Sequence, residues 1–201
     1  MKYCKPPPML NKALKELHAD LKQDFSEFWP AGKDHEIHEE NILMHLGAIL
    51  KRNNAHIYAQ VSTDEYPSKH IDFAALHEQE RWFLLCEAKR GYSQSHITGI
   101  RRDIHRVFDV AKDESFQEQV QKTGYSKGYG LILVTCWTGA KGRALFKTWK
   151  NSRLSNVSPM DKACRNLKKE LDNLSAKRGE LFIQQYKKSK HYVLYALFEI
   201  R

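Results

Sequence analysis

The sequence predicts an α/β fold in which a mixed β-sheet is flanked by helices, with core elements in the order αβββαβ. Residues 71–90, IDFAALHEQERWFLLCEAKR, are typical of two short apolar strands joined by a polar turn. The stretch 95–112 has helical periodicity, and the apolar run LILVTC at 131–136 is typical of a buried strand. This strand–helix–strand order predicts a right-handed crossover between parallel strands. A helix over 34–52 and a strand over 55–61 complete the predicted order.

The composition indicates a single globular domain with a basic surface. A chain of 201 residues is long enough for one domain with a substantial core, and we expect residues 1–201 to form that domain. The formal net charge is +9 and the isoelectric point is about 9.3. Nucleic acid is the most abundant polyanion that a basic protein meets in the cytosol, so the charge favours a nucleic-acid partner.

The sequence also argues against a membrane protein and against a disulfide framework. No apolar run approaches the roughly 18 residues that a membrane span requires. The N-terminal stretch MKYCKPPPMLNKALKEL lacks the apolar core of a signal peptide, so we expect a cytoplasmic protein. Without a C-x-x-C spacing, the cysteines are expected to be buried, reduced thiols rather than disulfides or zinc ligands. They are Cys4, Cys86, Cys136 and Cys164.

The N-terminal extension, residues 9–30, is predicted to be helical. Apolar side chains repeat every three or four positions between residues 11 and 29, which predicts one buried stripe on a packing helix. The segment Pro30-Ala31-Gly32 would end this helix. The stripe consists of Leu14, Leu17, Leu21, Phe25 and Phe28.

The C-terminal part, residues 158–200, is predicted to contain a helix and a final strand. Ser158 is a favourable N-cap, and Pro159 suits the first helical position. Gly179 would end the helix, and the apolar run 192–200 would form the strand.

The segment 139–151, before this helix, is ambiguous between a short helix and a loop. For the apolar face of the helix itself, two alternatives stay open. The heptad-like seam could pair two protomers in a homodimer, but two heptads are short for a coiled coil. Packing on the domain's own sheet is therefore favoured. The seam consists of Met160, Cys164, Leu167, Leu171 and Leu174.

The predicted core spans about residues 34–137, and its first helix carries an acidic residue on its apolar face. At 100° per residue, Glu39 falls inside the apolar stripe, whereas Glu40 falls to its side. A carboxylate on an inward face is costly unless it has a partner or a metal ion. Glu39 is therefore a candidate site residue, and Glu36, one turn earlier, is the next.

The predicted hairpin brings three charged side chains to one place. Folding about the Gln79–Glu80 bond pairs residues whose numbers add to 159, which sets Asp72 opposite Glu87. Directly opposed residues have Cβ atoms about 4.5–5.5 Å apart, and side chains alternate between the faces of a strand. Lys89 therefore lies on the same face as Glu87. Apolar residues are predicted on both faces: Ala74, Leu76, Phe83 and Leu85 beside the acids, and Ile71, Phe73, Ala75, Leu84 and Cys86 opposite.

Two opposed carboxylates repel each other, and a divalent cation between them removes the conflict. Mg²⁺ suits a site with one or two carboxylates, several waters and a substrate phosphate. Such an ion polarises a phosphoryl group and activates water, and a neighbouring lysine can orient that water or hold a phosphate oxygen. The alternative interpretation is a salt bridge at the edge of the sheet, without a catalytic role.

The motifs that carry the candidate site are Glu39 in HEENILMHLGAIL, Asp72 in HIDFAAL and Glu87-Ala88-Lys89 in LLCEAKR. With the helix and strand that follow, they resemble the PD-(D/E)XK nuclease superfamily and its restriction-endonuclease-like fold. Ile71 stands where the superfamily motif has proline.

The resemblance implies an endonuclease that hydrolyses DNA, or less often RNA, with Mg²⁺ or Mn²⁺. Asp72 and Glu87 would be metal ligands together with the Ala88 carbonyl, and Lys89 would handle the water. Glu39 would bind a second metal or a metal-bound water. Such a nuclease is expected in genome defence, mobile-element biology or repair, and it can work within a larger protein system.

Residues downstream of the motif are candidate nucleic-acid contacts. Gln94 matches a glutamine that some superfamily members carry after the E-x-K motif. Arginines at the end of the second hairpin strand and on the following helix would contact phosphates, or else form an ordinary solvated face. They are Arg90, Arg101, Arg102 and Arg106.

Three alternatives to a DNA nuclease follow from the same sequence. One is a nucleic-acid-binding or assembly module that keeps the fold without the chemistry, and another is a structure-specific RNA nuclease. The third, a zinc site at residues 35–39, HEIHE, is disfavoured because it misses the H-E-x-x-H spacing by one position. His38 and His45 share a helix face, but the sequence offers no evident third ligand.

Overall fold

The computed structural model of the chain describes residues 3–27, 37–62, 70–138, 142–150, 158–186 and 188–200. Within these residues the chain forms six helices and six strands, in an α/β arrangement. The helices are α1 (Pro8–Glu27), α2 (Glu39–Arg52), α3 (Gln94–Lys112), α4 (Glu114–Lys122), α5 (Arg143–Trp149) and α6 (Pro159–Asn173). The strands are β1 (Ala55–Val61), β2 (Ile71–His77), β3 (Trp82–Arg90), β4 (Lys127–Trp137), β5 (Lys177–Tyr186) and β6 (Ser189–Glu199).

The six strands form one mixed sheet in the order β1-β2-β3-β4-β6-β5. Strands β3 and β4 are parallel and are joined through α3 and α4, which confirms the predicted crossover; every other neighbouring pair is antiparallel. Strand β3 lies inside the sheet, with β2 on one side and β4 on the other. Its first seven residues are all buried, as expected for a strand with both faces covered.

Helices cover the sheet on both faces, because the inner strands are apolar on both. One buried cluster joins α1 and α2 to residues of β3 that include Leu84, Cys86 and Ala88. The other joins α3, α5 and α6 to the intervening residues Phe83 and Leu85. The predicted faces of the hairpin are confirmed except at Ile71, which belongs with the α3 cluster.

Most predicted elements are present, with shifted ends. Helix α1 begins at Pro8, because proline is tolerated in the first turn of a helix. Helix α2 begins at Glu39 rather than near residue 34, since His38 is an extended N-cap. Glu36, Phe28 and Trp29 lie outside the described residues.

Two elements were missed by the sequence prediction. Helix α4 follows α3 after one residue, Asp113, whose side chain accepts from the backbone N–H of Phe116 and so caps the new helix. Strand β5 begins where α6 was expected to continue, so the prediction that Gly179 ends the helix was wrong. Gly179 lies inside β5, where an added Cβ would come within 2.2 Å of the Tyr195 ring. Its role is close packing between neighbouring strands.

Helix α6 begins as predicted, and its apolar seam is buried inside the chain. Ser158 and Asp161 form a capping box, with the Asp161 N–H donating to the Ser158 side chain at 3.1 Å. Cys164, Leu167 and Leu171 are fully buried in the cluster that contains α3 and the sheet. The favoured interpretation is confirmed, and because its centre is already covered, the seam no longer supports a homodimer.

The thiols and the helices agree with two further expectations. All four cysteines are free and buried, and burial raises the pKa of the Cys136 thiol to about 12. Among the helices of the described ranges, none has the length and apolar character needed to cross a membrane.

Candidate functional site

The predicted hairpin register is confirmed for all five residue pairs of the β2–β3 ladder. The five pairs between β2 and β3 run from Phe73–Cys86 to His77–Trp82, and in each pair the residue numbers add to 159. Asp72 and Glu87 are the next positions in this register, one step beyond the last recorded pair. The ladder therefore ends where the two acidic residues stand.

Beyond the end of the β2–β3 ladder, side-chain carboxylates accept the backbone hydrogen bonds of β3 on the side that faces β2. The Ala88 N–H donates to Asp72 Oδ2 at 2.7 Å, and the Arg90 N–H donates to Glu39 Oε1 at 2.7 Å. Ala88 and Arg90 are two residues apart, so their N–H groups point toward the same edge of the strand. Asp72 and Glu39 thus lie side by side along that edge. Glu40, by contrast, is exposed, as the helical phase predicted.

Glu87 is the most deeply buried acid of the site. Its side chain is 1% exposed, and its Oε1 accepts from Arg106 Nε at 2.8 Å. Its other oxygen, Oε2, is buried and has no hydrogen-bond partner among the described residues. Burial, reinforced by the charge of Asp72, raises the pKa of Glu87 to about 8 despite the opposing Arg106.

Lys89 has a partner that the sequence reasoning overlooked. Its Nζ lies 3.4 Å from Oδ2 of Asp103, an α3 residue that is itself buried. Asp103 Oδ1 accepts from Arg106 Nη2 at 2.6 Å, so one arginine bridges Glu87 and Asp103. Burial raises the pKa of Asp103, and Lys89 and Arg106 act against that rise.

The sequence pattern of α3 could have identified Asp103 as a site residue. It lies three residues after Ile100 and four before Val107, on the apolar stripe of α3. The reasoning that selected Glu39 over Glu40 on α2 selects Asp103 on α3 as well, because an acid on a buried stripe requires a partner. Asp103 is thus the fourth acid of the site, in addition to Asp72, Glu87 and Glu39.

The buried Glu87 predicts a pH-dependent stability that Glu87→Gln should remove. Its pKa rises from an ordinary 4.5 to about 8 in the folded protein. Between these values the unfolded chain releases the proton while the folded one keeps it, so the Glu87 contribution to stability falls as pH rises. The free energy of unfolding of Glu87→Gln should therefore increase relative to wild type, by a few kcal/mol in order of magnitude, across this range.

Urea unfolding of both metal-free proteins at a series of pH values measures this difference. Titrating groups that do not interact with Glu87 behave alike in the two proteins, so their contributions to the difference cancel. The gain should level off above pH 8, where Glu87 is ionised in both states. A wild-type-to-variant difference that stays constant with pH would contradict the raised pKa.

The donor set fits a cation that keeps several waters, rather than a site built entirely from side chains. Within the described ranges, no group of three or more His, Cys, Asp or Glu side chains is placed to hold a metal ion. Glu87 nevertheless offers a buried, unpartnered oxygen, and Asp72 is adjacent in register. The Ala88 carbonyl points to the same strand edge as its N–H. Two carboxylates and a carbonyl, completed by water and phosphate, match the preference of Mg²⁺.

The predicted nucleic-acid contacts fall into different environments. Gln94 and Arg101 line a groove between α3 and α6, and Arg102 is exposed on α3. Arg90 lies beside Glu39, with its Nε 3.5 Å from Glu39 Oε1. Arg106 is paired with both Glu87 and Asp103, at 2.8 and 2.6 Å, so it is not part of an ordinary solvated helix face, and its role as a phosphate contact stays a prediction.

The histidines do not assemble into a zinc site in the part of the chain that the structure describes. His45 Nε2 lies 3.0 Å from Asp24 Oδ2, which gives it an acidic partner on α1. His38 is exposed at the start of α2. His35 lies outside the described ranges.

Comparisons with protein-family models, with curated proteins and with solved structures return no match to this chain. The likeness to the PD-(D/E)XK superfamily therefore rests on the motifs and on the order of the elements that carry them.

Proposed function

We propose that this chain is a metal-dependent endonuclease that hydrolyses phosphodiester bonds in DNA, on a restriction-endonuclease-like core. The observation that carries the proposal is the end of the β2–β3 ladder. There a buried Glu87 with an unpartnered oxygen, its register neighbour Asp72, and Lys89 meet at one strand edge. The order α2-β1-β2-β3-α3-β4, with β3 and β4 parallel, also agrees with what the resemblance implies.

Asp72 and Glu87 would hold Mg²⁺ or Mn²⁺, with the Ala88 carbonyl as a further donor. When bound, the ion supplies charge neutralisation between the carboxylates and Lewis-acid polarisation of the phosphate. Asp72 is fixed for this role because its Oδ2 accepts the Ala88 N–H at 2.7 Å. Glu87 is fixed by Arg106, which binds only Oε1 and leaves Oε2 available.

Lys89 would orient the attacking water or hold a phosphate oxygen. Its side chain is 32% exposed, so the ammonium group is accessible from solvent while Asp103 anchors it from α3. A lysine held in this way is a positioned cation beside the two acids, which is the arrangement that proton transfer or phosphate binding requires. Glu39 stands next along the strand edge, where the resemblance implies a role toward a second ion.

One observation favours a second candidate, a nucleic-acid-binding or assembly module without catalysis. Arg106 compensates Glu87, and Lys89 compensates Asp103, so the charges are paired without any metal ion. A purely structural network would have the same pairs. The unpartnered Glu87 Oε2 argues for the nuclease, because a buried carboxylate oxygen is costly without a ligand.

A cleavage panel separates these functions, with Asp72→Asn as the diagnostic variant. Asparagine keeps an oxygen that can accept the Ala88 N–H, so the fold should survive while the negative charge is lost. Wild type should cut duplex DNA with Mg²⁺ or Mn²⁺ and not with EDTA. The variant should be slower by at least about 10²-fold, since it loses a charged ligand.

Parallel reactions with single-stranded DNA and RNA identify the substrate. Cleavage of RNA alone would replace the DNA nuclease with an RNA nuclease. Absence of cleavage on every substrate, together with no Mg²⁺ binding by calorimetry, would favour the non-catalytic module. Equal Mg²⁺-dependent rates for wild type and Asp72→Asn would remove Asp72 from the site.

A further inference from the structure

A polar groove runs between α3 and α6, on the side of α3 that faces away from the sheet. Its volume is about 670 Å³. Gln94, Thr98 and Arg101 line it from α3, and Lys162, Arg165 and Asn166 line it from α6. None of these six residues is acidic. Arg101, Lys162 and Arg165 are cationic, and Arg101 is paired with Glu170. The groove thus has the electrostatic character of an anion-binding surface.

The exposed face of α6 continues this character along the helix. Its exposed positions Lys162, Asn166, Lys169 and Asn173 follow one another at intervals of four, three and four residues. Residues at this spacing share one face of a helix. The face therefore presents only ammonium and amide groups, which donate hydrogen bonds to phosphate oxygens.

The one acid at the far end of the groove is neutralised by α3. A second hollow of about 560 Å³ adjoins it and is lined by Lys169 and Glu170 among others. Glu170 Oε2 accepts from Arg101 Nε at 2.6 Å, and its Oε1 lies 2.8 Å from His105 Nε2. Because this carboxylate is already paired, it does not cancel the charge of the neighbouring lysines.

Helix α3 separates this groove from the candidate active site and contacts both. Asp103 and Arg106 lie on the side of α3 that meets Glu87 and Lys89. Gly99 lies against the Lys89 stem, since a Cβ placed there would be 3.6 Å from Lys89 Cε. A nucleic-acid strand lying in the groove would therefore run along α3, whose other side contributes Asp103 and Arg106 to the candidate site.

We propose that the α3–α6 groove and the hollow that adjoins it, with Lys162 and Lys169 as their principal cations, bind the phosphodiester backbone of the nucleic-acid substrate. The proposal rests on the proposed nuclease function for the choice of ligand. It assigns the C-terminal helix, outside the nuclease-like core, the role of a backbone clamp. Lysine contacts of this kind bind without reading sequence, and each contributes to the salt dependence of affinity.

The test compares two double variants that remove the same charge from opposite sides of the sheet. Lys162→Ala/Lys169→Ala changes the groove, and Lys15→Ala/Lys22→Ala changes two exposed lysines of α1. Fluorescence anisotropy with short duplex DNA, and separately with duplex RNA, is recorded for the full chain in EDTA between about 50 and 200 mM salt. Thermal unfolding verifies that both variants fold, as expected for exposed positions.

The groove variant should bind at least about tenfold more weakly than wild type, and its salt slope should fall by about two. The α1 variant should bind like wild type. Whether the loss of affinity appears with duplex DNA or with duplex RNA identifies the ligand, and either result supports the proposal. Equal affinity of the groove variant and wild type, or equal weakening of both variants, would overturn it. Weaker binding by the groove variant alone, with no cleavage by wild type in Mg²⁺, would contradict the nuclease and leave the groove assignment standing.

Discussion

Lys89→Ala is expected to lower metal-dependent DNA cleavage by about 10²–10⁴-fold, the usual contribution of a positioned acid–base group. The ammonium group lies 3.4 Å from Asp103 Oδ2 and on the same strand face as Glu87, which positions it beside the proposed metal ligands. Single-turnover rates at saturating enzyme, measured with Mg²⁺, report this loss directly. Binding of the same duplex in EDTA should change little.

The fold should tolerate this substitution. The Lys89 side chain is 32% exposed, so its ion pair with Asp103 is worth about 1 kcal/mol or less after solvent screening. Asp103 keeps its contact with Arg106 at 2.6 Å. A loss of cleavage with an unchanged unfolding midpoint therefore reports chemistry and not misfolding.

Lys112→Ala is the matched control for Lys89→Ala. Lys112 is exposed at the C-terminal end of α3, so the variant removes one lysine from the same part of the chain without touching the site. Its cleavage rate should equal that of wild type. Unchanged Mg²⁺-dependent cleavage by Lys89→Ala would remove Lys89 from the mechanism and leave its ion pair with Asp103 as a structural contact only.

Arg106→Ala is expected to lower the free energy of unfolding by about 3–5 kcal/mol, because it leaves buried charge without compensation. Arg106 contacts both Glu87 and Asp103, which are 1% and 4% exposed at the side chain. Without the guanidinium group, both acids must take up protons or remain ionised in an apolar setting. Urea unfolding above pH 8, where Glu87 is ionised in the folded wild type, measures the loss.

Two comparisons isolate the cause of this loss. Arg102→Ala removes an exposed arginine from the same helix and should change stability by less than about 0.5 kcal/mol. In a Glu87→Gln background, Arg106→Ala should cost less than in wild type, because one of its two anionic partners is already gone. A loss below about 1 kcal/mol for Arg106→Ala in wild type would contradict the proposed charge compensation.

The Arg106→Ala variant also tests whether the site binds Mg²⁺. If Asp72 and Glu87 hold a cation, Mg²⁺ should recover part of the stability that Arg106→Ala loses, since a ligand that binds only the folded state stabilises it. Asp72→Asn/Arg106→Ala should show no such recovery. Equal recovery in both would place the cation elsewhere.

The sequence by itself determined the hairpin and the position of its charges. Apolar runs on both strands and a symmetric turn were enough to predict that Phe73 pairs with Cys86, because the length and centre of the turn fix the register of a hairpin. Helical phase likewise distinguished Glu39 from Glu40. The Ser158–Asp161 cap was readable because capping is a local interaction within three residues.

Only the tertiary structure decided how those charges are compensated. Arg106 looked like a surface phosphate contact, and its position under Glu87 depends on how α3 packs over the sheet. Strand β5 was missed because its sequence, KRGELFIQQY, contains five charged or amide residues and has no clear apolar alternation. As an edge strand it is stabilised by pairing with β6, the next strand along the chain.

The α3–α6 groove has the same origin. Its two sides are separated by more than 50 residues in the chain. Taken alone, the polar side chains of each helix have the pattern of an ordinary solvated helix face. Packing of both helices on one sheet brings their cations together and pairs Glu170 with Arg101. The sequence thus determined which residues are charged and which face they occupy, whereas long-range packing determined which charges remain available to a ligand.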